Sequence, residues 1–124
     1  MADEITITDI INVTKGRLVN RGLSVAGIPI TFNGSQYVGQ VQTIGTSPEA
    51  LVMGDVTVPG RYVMANNEAS GGNSIQIGSN DSTGFHPLDE LDPGESSSGR
   101  LAINTPFAKA IGGSAELEYF ILED

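Results

Sequence analysis

The side chains that could do acid–base, nucleophilic or metal chemistry are few in this chain. His86 is the only histidine, and there is no cysteine. Zinc sites and hydrolytic acid–base centres need several such groups to converge, whereas His86 is accompanied only by Asp81, Asp89 and Glu90. We expect His86 to be a loop or rim residue, with a pH-sensitive contact as the alternative.

The acidic residues around this histidine could bind calcium through carboxylate and carbonyl oxygens. Their spacing does not match a calcium-binding loop of the EF-hand type, so a solvated acidic loop is the expected state of Asp81, Asp89, Glu90, Asp92 and Glu95. The chain also lacks a Gly-x-Ser-x-Gly motif, and the Gly-rich segment at 71–74 lacks the lysine of a phosphate loop. We therefore predict no enzyme activity, no metal site and no cofactor.

The net charge limits the partners of the chain. With 15 acidic and 6 basic residues the formal net charge is -9, which disfavours a sequence-independent grip on nucleic acid, because that grip needs Lys and Arg at the phosphates. No apolar run approaches the ~18 residues of a membrane span, and the first residues are acidic, unlike a secretory signal. We expect a soluble protein, made in the cytoplasm without a leader, that binds neither nucleic acid nor membrane.

Gly and Pro interrupt the 124-residue chain often, with 16 Gly and 6 Pro, which favours short strands over long helices. Alternating apolar and polar residues predict about nine strands, at 4–13, 23–32, 36–44, 47–53, 61–65, 74–78, 85–91, 99–104 and 115–122. The Gly-, Ser- and Asp-rich part at 79–99 is expected to be mostly a wrapping loop, with a flexible or turn-forming segment at 95–99. The prediction is an all-β fold, an antiparallel β-sandwich or jelly-roll-like single domain.

Two local signals refine the first strands. Pro29 cannot donate a backbone hydrogen bond, so the strand at 23–32 is expected to be an edge or bulged strand. Asn33-Gly34 suits a tight turn with positive φ, which predicts a β-hairpin between this strand and the one at 36–44.

The apolar segment at 117–124 raises the question of what covers it. In a strand, Leu117, Tyr119 and Ile121 share one face, and Phe120 lies on the other face with acidic residues. Phe120 and Leu122 therefore need cover. One alternative is an interior strand covered on both faces by loops of the same chain, and the other is cover by a neighbouring subunit, because exposed apolar patches mark interfaces.

A family resemblance accompanies these patterns. The chain resembles the small β-rich virion proteins of tailed bacteriophages over about residues 35–124, at the segments 41–47, 49–51, 53–60, 74–78, 91–95, 100–101, 105–110 and 117–124. The most distinctive part is the stretch Ala108-Lys109-Ala110, followed by a strand that ends in Glu123-Asp124. Residues 1–34 match less clearly and are expected to form N-terminal strands that extend onto a neighbour.

The resemblance implies a capsid decoration or cement protein on the exterior of the virion. Its expected partners are the major capsid protein and copies of itself, as a homotrimer or another small homo-oligomer. The negative charge agrees with an exterior position, because the interior of the shell is packed with DNA. The residues that we predict at contacts with other chains are Phe107, Lys109, Tyr119, Phe120 and Leu122.

A module that binds carbohydrate or a host receptor is the alternative function. Four aromatic side chains are available to stack on sugars, namely Tyr37, Tyr62, Phe107 and Tyr119. The chain has no tryptophan, however, and only 6% of its residues are aromatic, which favours the structural role over glycan binding.

Overall fold

The computed structural model describes residues 3–15, 18–32 and 36–124, with side chains from residue 36 onward. The chain divides into two compact units, Met1–Asn33 and Gly34–Asp124. The described residues form ten β-strands, and none of them belongs to a helix that could cross a membrane.

The first unit is an antiparallel two-stranded ribbon. Strand β1 (Asp3–Lys15) pairs with β2 (Leu18–Phe32). The register shifts between Ile7 and Asp9, whose partners are Ile28 and Val25, so β2 has one more residue than β1 at this point. The prediction of a bulged strand at 23–32 is thereby confirmed.

The second unit, which we call the body, contains two four-stranded antiparallel sheets. Its strands are β3 (Tyr37–Ile44), β4 (Glu49–Ala50), β5 (Pro59–Asn66), β6 (Ser74–Asp81), β7 (Gly84–Leu91), β8 (Ser96–Arg100), β9 (Phe107–Ile111) and β10 (Ala115–Glu123). The first sheet has the order β3-β10-β5-β8, and the second has the order β4-β9-β6-β7. The predicted all-β antiparallel sandwich is confirmed.

The core of the body lies between the inner faces of these sheets. Strand β10 supplies every second residue to it, and β6 and β9 supply residues from the second sheet in the same alternating way. The fully or nearly fully buried apolar residues are Val38, Ile44, Leu51, Val56, Met64, Ile75, Ile77, Leu91, Ala108, Ala110, Ala115, Leu117, Tyr119 and Ile121.

Asn66, at the end of β5, is the polar residue that lies deepest in the body, with 1% of its surface exposed. Its amide nitrogen donates to the carbonyl oxygens of Asn73 (2.9 Å) and Leu91 (3.0 Å), and its amide oxygen accepts from the N–H of Glu68 (3.0 Å). A buried amide with partners for both ends costs little to bury. Asn66 thus ties β5 to β7 and to the loop before β6.

Gly78 allows a bulge between β6 and β7. The register of the pair shifts between Ile77 and Gly78, and a Cβ atom on Gly78 would collide with the carbonyl oxygen of His86 and lie 2.9 Å from Cα of Pro87. Strand β7 forms an edge of its sheet, which is where a proline is tolerated.

The turn predicted at Asn33-Gly34 lies outside the described residues. Within the body, β3 pairs with β10. The partner of a strand depends on apolar faces that are distant in sequence. Strand β10 carries the most apolar inner face of the first sheet and takes its central position between β3 and β5.

The prediction of a wrapping loop at 79–99 is also wrong. This part contains the end of β6, all of β7 and the start of β8, so only its predicted strand at 85–91 is confirmed. The flexible segment expected at 95–99 pairs with β5 as β8. Its small residues fit beside Tyr62, whose ring lies 3.4 Å from the Cβ position of Gly99 and whose hydroxyl lies 3.4 Å from Oγ of Ser97.

Two further boundaries differ from the prediction, and one strand was not predicted. Residues 101–104 of the strand expected at 99–104 are not in a strand, and the strand expected at 47–53 is limited to β4. Strand β9 was not predicted, although its burial alternates as a strand should. Its inward positions are Ala108 and Ala110, and alanine gives a weak apolar signal.

An exposed apolar face as the candidate functional site

The candidate functional site is the outer surface of the first sheet. Phe120 on β10 lies opposite Gly39 on β3 and Val63 on β5, and the next outward row places Glu118 between Val41 and Ala65. We call this surface the outer face, defined by Tyr37, Gly39, Val41, Val63, Ala65, Glu118, Phe120 and Leu122. Phe120 is 42% exposed although it lies on an interior strand, and Tyr37 is 64% exposed.

Phe120 and Tyr37 form an aromatic pair at the centre of the outer face. Their ring centroids are 5.3 Å apart and the ring planes are inclined by 31°. The Phe120 ring also lies 3.4 Å from the position of a Cβ atom on Gly39, so the absence of a side chain at Gly39 lets the ring lie across the neighbouring strand. Such pairs contribute about 0.5–1.5 kcal/mol beyond buried area.

A shallow depression of about 440 Å³ lies beside these rings. Small and apolar residues line it, with Gln40 and Glu118 as its polar members: Gly39, Gln40, Val41, Val63, Ala65, Glu118, Tyr119 and Phe120. Glu118 is held in place by a hydrogen bond from the side-chain amide of Asn67 (3.0 Å). The depression is broad and apolar, which suits contact with another protein surface.

The two ends of the outer face differ in charge. Glu116 and Glu118 lie at the end where β10 begins. At the other end Arg61 lies directly opposite Arg100 across β5 and β8, and Arg100 forms an ion pair with Asp124. Within residues 36–124, Nε of Arg61 is buried without a hydrogen-bond partner. The outer face therefore has acidic side chains at one end and apolar side chains around Phe120, while at the other end Arg61 lies beside Arg100, which is ion-paired with Asp124.

Of the predicted contact residues, Phe120 and Leu122 lie on the outer face. Leu122 is half-buried and pairs with Tyr37 across the strands. One alternative was an interior strand that the chain covers on both faces. Strand β10 does lie in the interior of its sheet, between β3 and β5, but residues 36–124 leave Phe120 on its outer face substantially exposed.

The prediction of Tyr119 as a contact residue is wrong. Tyr119 is 2% exposed and lies in the core. It is adjacent to Phe120 on β10, and adjacent residues of a strand point to opposite faces of the sheet. The single hydroxyl proton of Tyr119 is shared between Oε1 of Gln42 (2.9 Å) and the carbonyl oxygen of Val52 (2.8 Å). Burial raises the pKa of Tyr119, and the hydrogen bond with the backbone of Val52 opposes this rise.

The predicted residues Phe107 and Lys109 lie on the other side of the sandwich. They alternate along β9 with the buried Ala108 and Ala110, so they point away from the core on the second sheet. Both are half-buried. The predicted contact residues therefore do not form one patch, and Phe120 and Leu122 are the two that the outer face brings together.

Several residues of the outer face were missed at the level of sequence. Gly39, Val41, Val63 and Ala65 carry no chemical signature of their own, and they join Phe120 only through the register of β3 and β5 on β10. The alternating apolar pattern of β3 was the available signal, but it did not identify the partner strand.

His86 belongs to a polar cluster at the tip of the β6–β7 hairpin. Oδ1 of Asp81 accepts hydrogen bonds from the backbone N–H (2.8 Å) and hydroxyl (2.6 Å) of Thr83, and Nε2 of His86 lies 3.2 Å away. These bonds, the Thr83 hydroxyl first, lower the pKa of Asp81 to about 2. All three residues are at the surface, so the arrangement stabilises a turn.

Three of the four remaining acidic residues of the predicted loop accept hydrogen bonds within the fold through their side chains. Asp92 accepts from the hydroxyl of Ser74 (2.7 Å), Asp89 accepts from the hydroxyl of Ser97 (2.5 Å), and Glu95 accepts from the N–H of Asp92 (2.9 Å). Among the side chains that the structure describes, no three His, Cys, Asp or Glu residues form a group suited to a metal ion.

Comparisons with models of protein families, with curated proteins and with solved structures gave no match for this chain. The likeness to bacteriophage virion proteins therefore stays a prediction from the sequence. The outer face, the charge and the N-terminal ribbon are the features that a proposed function has to explain.

Proposed function

We propose that this chain is a structural protein of tailed-bacteriophage virions, a decoration or cement protein that binds the outer surface of the capsid. The observation that carries the proposal is the exposure of Phe120 and its apolar neighbours at the centre of the first sheet. A contiguous apolar surface on a folded domain is typical of a site that another protein covers. The major capsid protein is the partner that the sequence resemblance implies.

Cementing would work through burial of this surface across neighbouring capsomers. Complete burial of a large apolar side chain contributes about 1.5–3 kcal/mol, and Phe120, Val63, Val41 and Tyr37 each have about half of their surface still to bury. Opening the shell would expose these side chains again at every copy. Small contributions per copy therefore add up over a lattice, without any chemical step.

The distribution of charge supports a position outside the shell. Residues 34–124 hold twelve acidic and three basic residues, a net charge of -9, whereas residues 1–33 hold three of each and are neutral. Such an acidic body would be repelled by packed DNA. The outer face is the part of the body where an apolar centre replaces this charge.

The N-terminal ribbon supports attachment to a neighbouring chain. An isolated two-stranded hairpin is marginally stable in water, and the ribbon of β1 and β2 forms a compact unit of its own. Packing on a capsid protein or another copy would stabilise such a ribbon. This arm would enlarge the contact made by the outer face.

A carbohydrate- or receptor-binding module is the second candidate, and the pair of Tyr37 and Phe120 favours it. Exposed aromatic rings stack on the apolar faces of sugars, and Gln40 and Glu118 lie beside the same depression. This candidate predicts binding to an isolated glycan, which the capsid proposal does not require.

Capsid binding by the purified chain tests the proposal. We expect the chain to co-sediment with expanded capsids that lack it and to raise their temperature of disruption. The Phe120→Asp variant should lose binding, whereas Leu88→Asp, at a 74% exposed residue of the second sheet, should retain it. Unchanged capsid stability in the presence of folded protein would contradict cementing, and a glycan-array signal that free sugar competes away would favour the second candidate.

A further inference from the structure

Two of the three basic residues of the body lie directly opposite each other. The basic residues among residues 34–124 are Arg61, Arg100 and Lys109, against twelve acidic ones. Arg61 on β5 is the register partner of Arg100 on β8, which places their Cβ atoms about 4.5–5.5 Å apart. Like charges that face each other in this way destabilise a sheet, and an anion beside them relieves the repulsion.

The chain places one carboxylate beside this pair, and that carboxylate serves only one of the two arginines. Asp124 forms an ion pair with Arg100. No carboxylate of the described residues forms an ion pair with Arg61. Glu123, the next acidic residue, accepts hydrogen bonds from the N–H (3.2 Å) and the hydroxyl (3.3 Å) of Thr57. Two guanidinium groups and the carboxylate of Asp124 leave a charge of +1 at this end of the outer face.

Arg61 also has an unsatisfied hydrogen-bond donor. Within residues 36–124 its Nε is buried without a partner, and its terminal nitrogens are not buried in this way. The side chain as a whole is half-buried, so the guanidinium can be approached from outside. A buried donor without an acceptor costs free energy, and few occur in native folds. Arg61 therefore lacks both a counter-charge and an acceptor.

We propose that Arg61 and Arg100 form a binding site for one carboxylate group of a ligand from outside the chain. A guanidinium presents two parallel N–H donors to a planar carboxylate. The Nε–H of Arg61 and a terminal N–H of the same guanidinium form such an edge. A carboxylate there supplies the missing acceptor, offsets the repulsion between the two arginines and cancels the remaining charge of +1.

Charge and shape favour a carboxylate over other anions. Asp124 already binds Arg100 through this group, so the chemistry suits the position. A phosphate dianion would be repelled by Asp124 and by a body with a net charge of -9. The buried Nε of Arg61 is also reached more easily by a flat group than by a tetrahedral one. The carboxylate belongs to a small organic acid or to an Asp or Glu side chain of another protein.

Titration of the full chain with acetate, followed by NMR at the Nε–H groups of its four arginines, tests the site. We expect acetate to shift the signals of Arg61 and Arg100 with saturation, whereas chloride at the same ionic strength does not. Arg61→Gln should abolish the saturable shift at Arg100. Arg61→Lys keeps the charge but loses the two-donor edge, so it should weaken binding at least tenfold even if the glutamine variant fails to fold.

Two further variants separate this site from a general effect of charge. Lys109→Gln removes the same charge from the second sheet, so acetate should bind as it does to the unaltered chain. Asp124→Asn removes the carboxylate that competes for Arg100, so acetate should bind several-fold more tightly. Two arginines with a purely structural role would give no such gain.

Three results would overturn the inference: no saturable shift at Arg61, tighter binding of inorganic phosphate than of acetate, or equal weakening by Arg61→Gln and Lys109→Gln. A carboxylate elsewhere in the full chain that already fills the site would abolish the acetate response and so count as the first of these.

A capped peptide with a single Glu distinguishes the two sources of the ligand. Tighter binding of the peptide than of acetate supports the site as one for a protein side chain, and equal binding supports it as one for a small acid. These measurements involve no capsid, so their failure is distinct from failure of the proposed function.

Discussion

The rings of Tyr37 and Phe120 lie 5.3 Å apart on the surface of the body rather than within its core. Phe120→Ala should therefore cost little stability, about 1 kcal/mol, because the side chain is partly exposed and loses mainly its aromatic partner. Binding to the covering protein should fall much more. The check is urea denaturation beside a capsid-binding assay, with Ile121→Ala, a fully buried neighbour, as the contrast that loses about 2–5 kcal/mol of stability. A large stability loss for Phe120→Ala would show that the ring supports the fold.

Gly78 is expected to be intolerant of any side chain. Gly78→Ala forces a Cβ atom into the carbonyl group of His86, so the bulge between β6 and β7 must shift, and we expect a loss of about 2 kcal/mol or more. Gly45→Ala is the matched control, because its Cβ atom would lie 3.6 Å from the carboxylate of Glu49, an ordinary contact. Thermal denaturation of both variants measures the difference, and equal midpoints would contradict the steric argument.

The alternation of β1, β6 and β10 was readable from the sequence, because each has large apolar residues at every second position. Strands β8 and β9 were not, since the serines of β8 resemble a loop and the inward residues of β9 are alanines. Tertiary context decides these segments: β8 is held by its ladder with β5 and by the ring of Tyr62 over Gly99.

The same distinction applies to the candidate site. The outward direction of Phe120 follows from the two-residue period of a strand. The same period shows that this apolar side chain needs cover from another surface. That Gly39 and Val63 lie beside it depends on two registers between distant segments, which a single sequence does not specify. Tyr119 alternates in step with Leu117 and Ile121 along β10, so the same period places it in the core rather than at a contact with another chain.

Asn66 is expected to be a major source of stability for its size. Asn66→Ala removes three hydrogen bonds of the side chain and leaves the carbonyl oxygens of Asn73 and Leu91 without this donor, so we expect a loss of about 2–4 kcal/mol. Asn67→Ala is the control, because the side chain of Asn67 makes an exposed bond to Glu118 and should contribute about 1 kcal/mol or less. The measurement is the free energy of unfolding in urea, and similar losses for the two variants would be the contrary result.

The hairpin tip is expected to respond to acid. The folded pKa of Asp81 is lowered to about 2 from its ordinary value of 3.8, so its contribution to stability is present above the ordinary value and is lost as the pH falls through about 2. Thr83→Ala removes the leading cause and should raise the pKa of Asp81 toward its ordinary value. Ser82→Ala, in the same turn, should leave it unchanged. Carboxyl chemical shifts followed by NMR over acidic pH give the result, and an unaltered Asp81 titration in Thr83→Ala would refute the assignment.

Tyr119 should titrate later than an exposed tyrosine. Its burial raises the pKa above the ordinary value of 10.0, so the neutral phenol is favoured in the folded state, and stability that is present below the ordinary value is lost as the pH rises through the folded pKa. Tyr119→Phe should remove this late step from the tyrosinate absorbance and leave the earlier titration in place. It should also cost about 1–3 kcal/mol, because Gln42 and the carbonyl of Val52 lose a buried donor. If Tyr119→Phe instead reduced the earlier titration and no late step were present in the unaltered protein, the hydroxyl of Tyr119 would titrate like an exposed phenol, and the segment around Val52 would not be held against β10 as described.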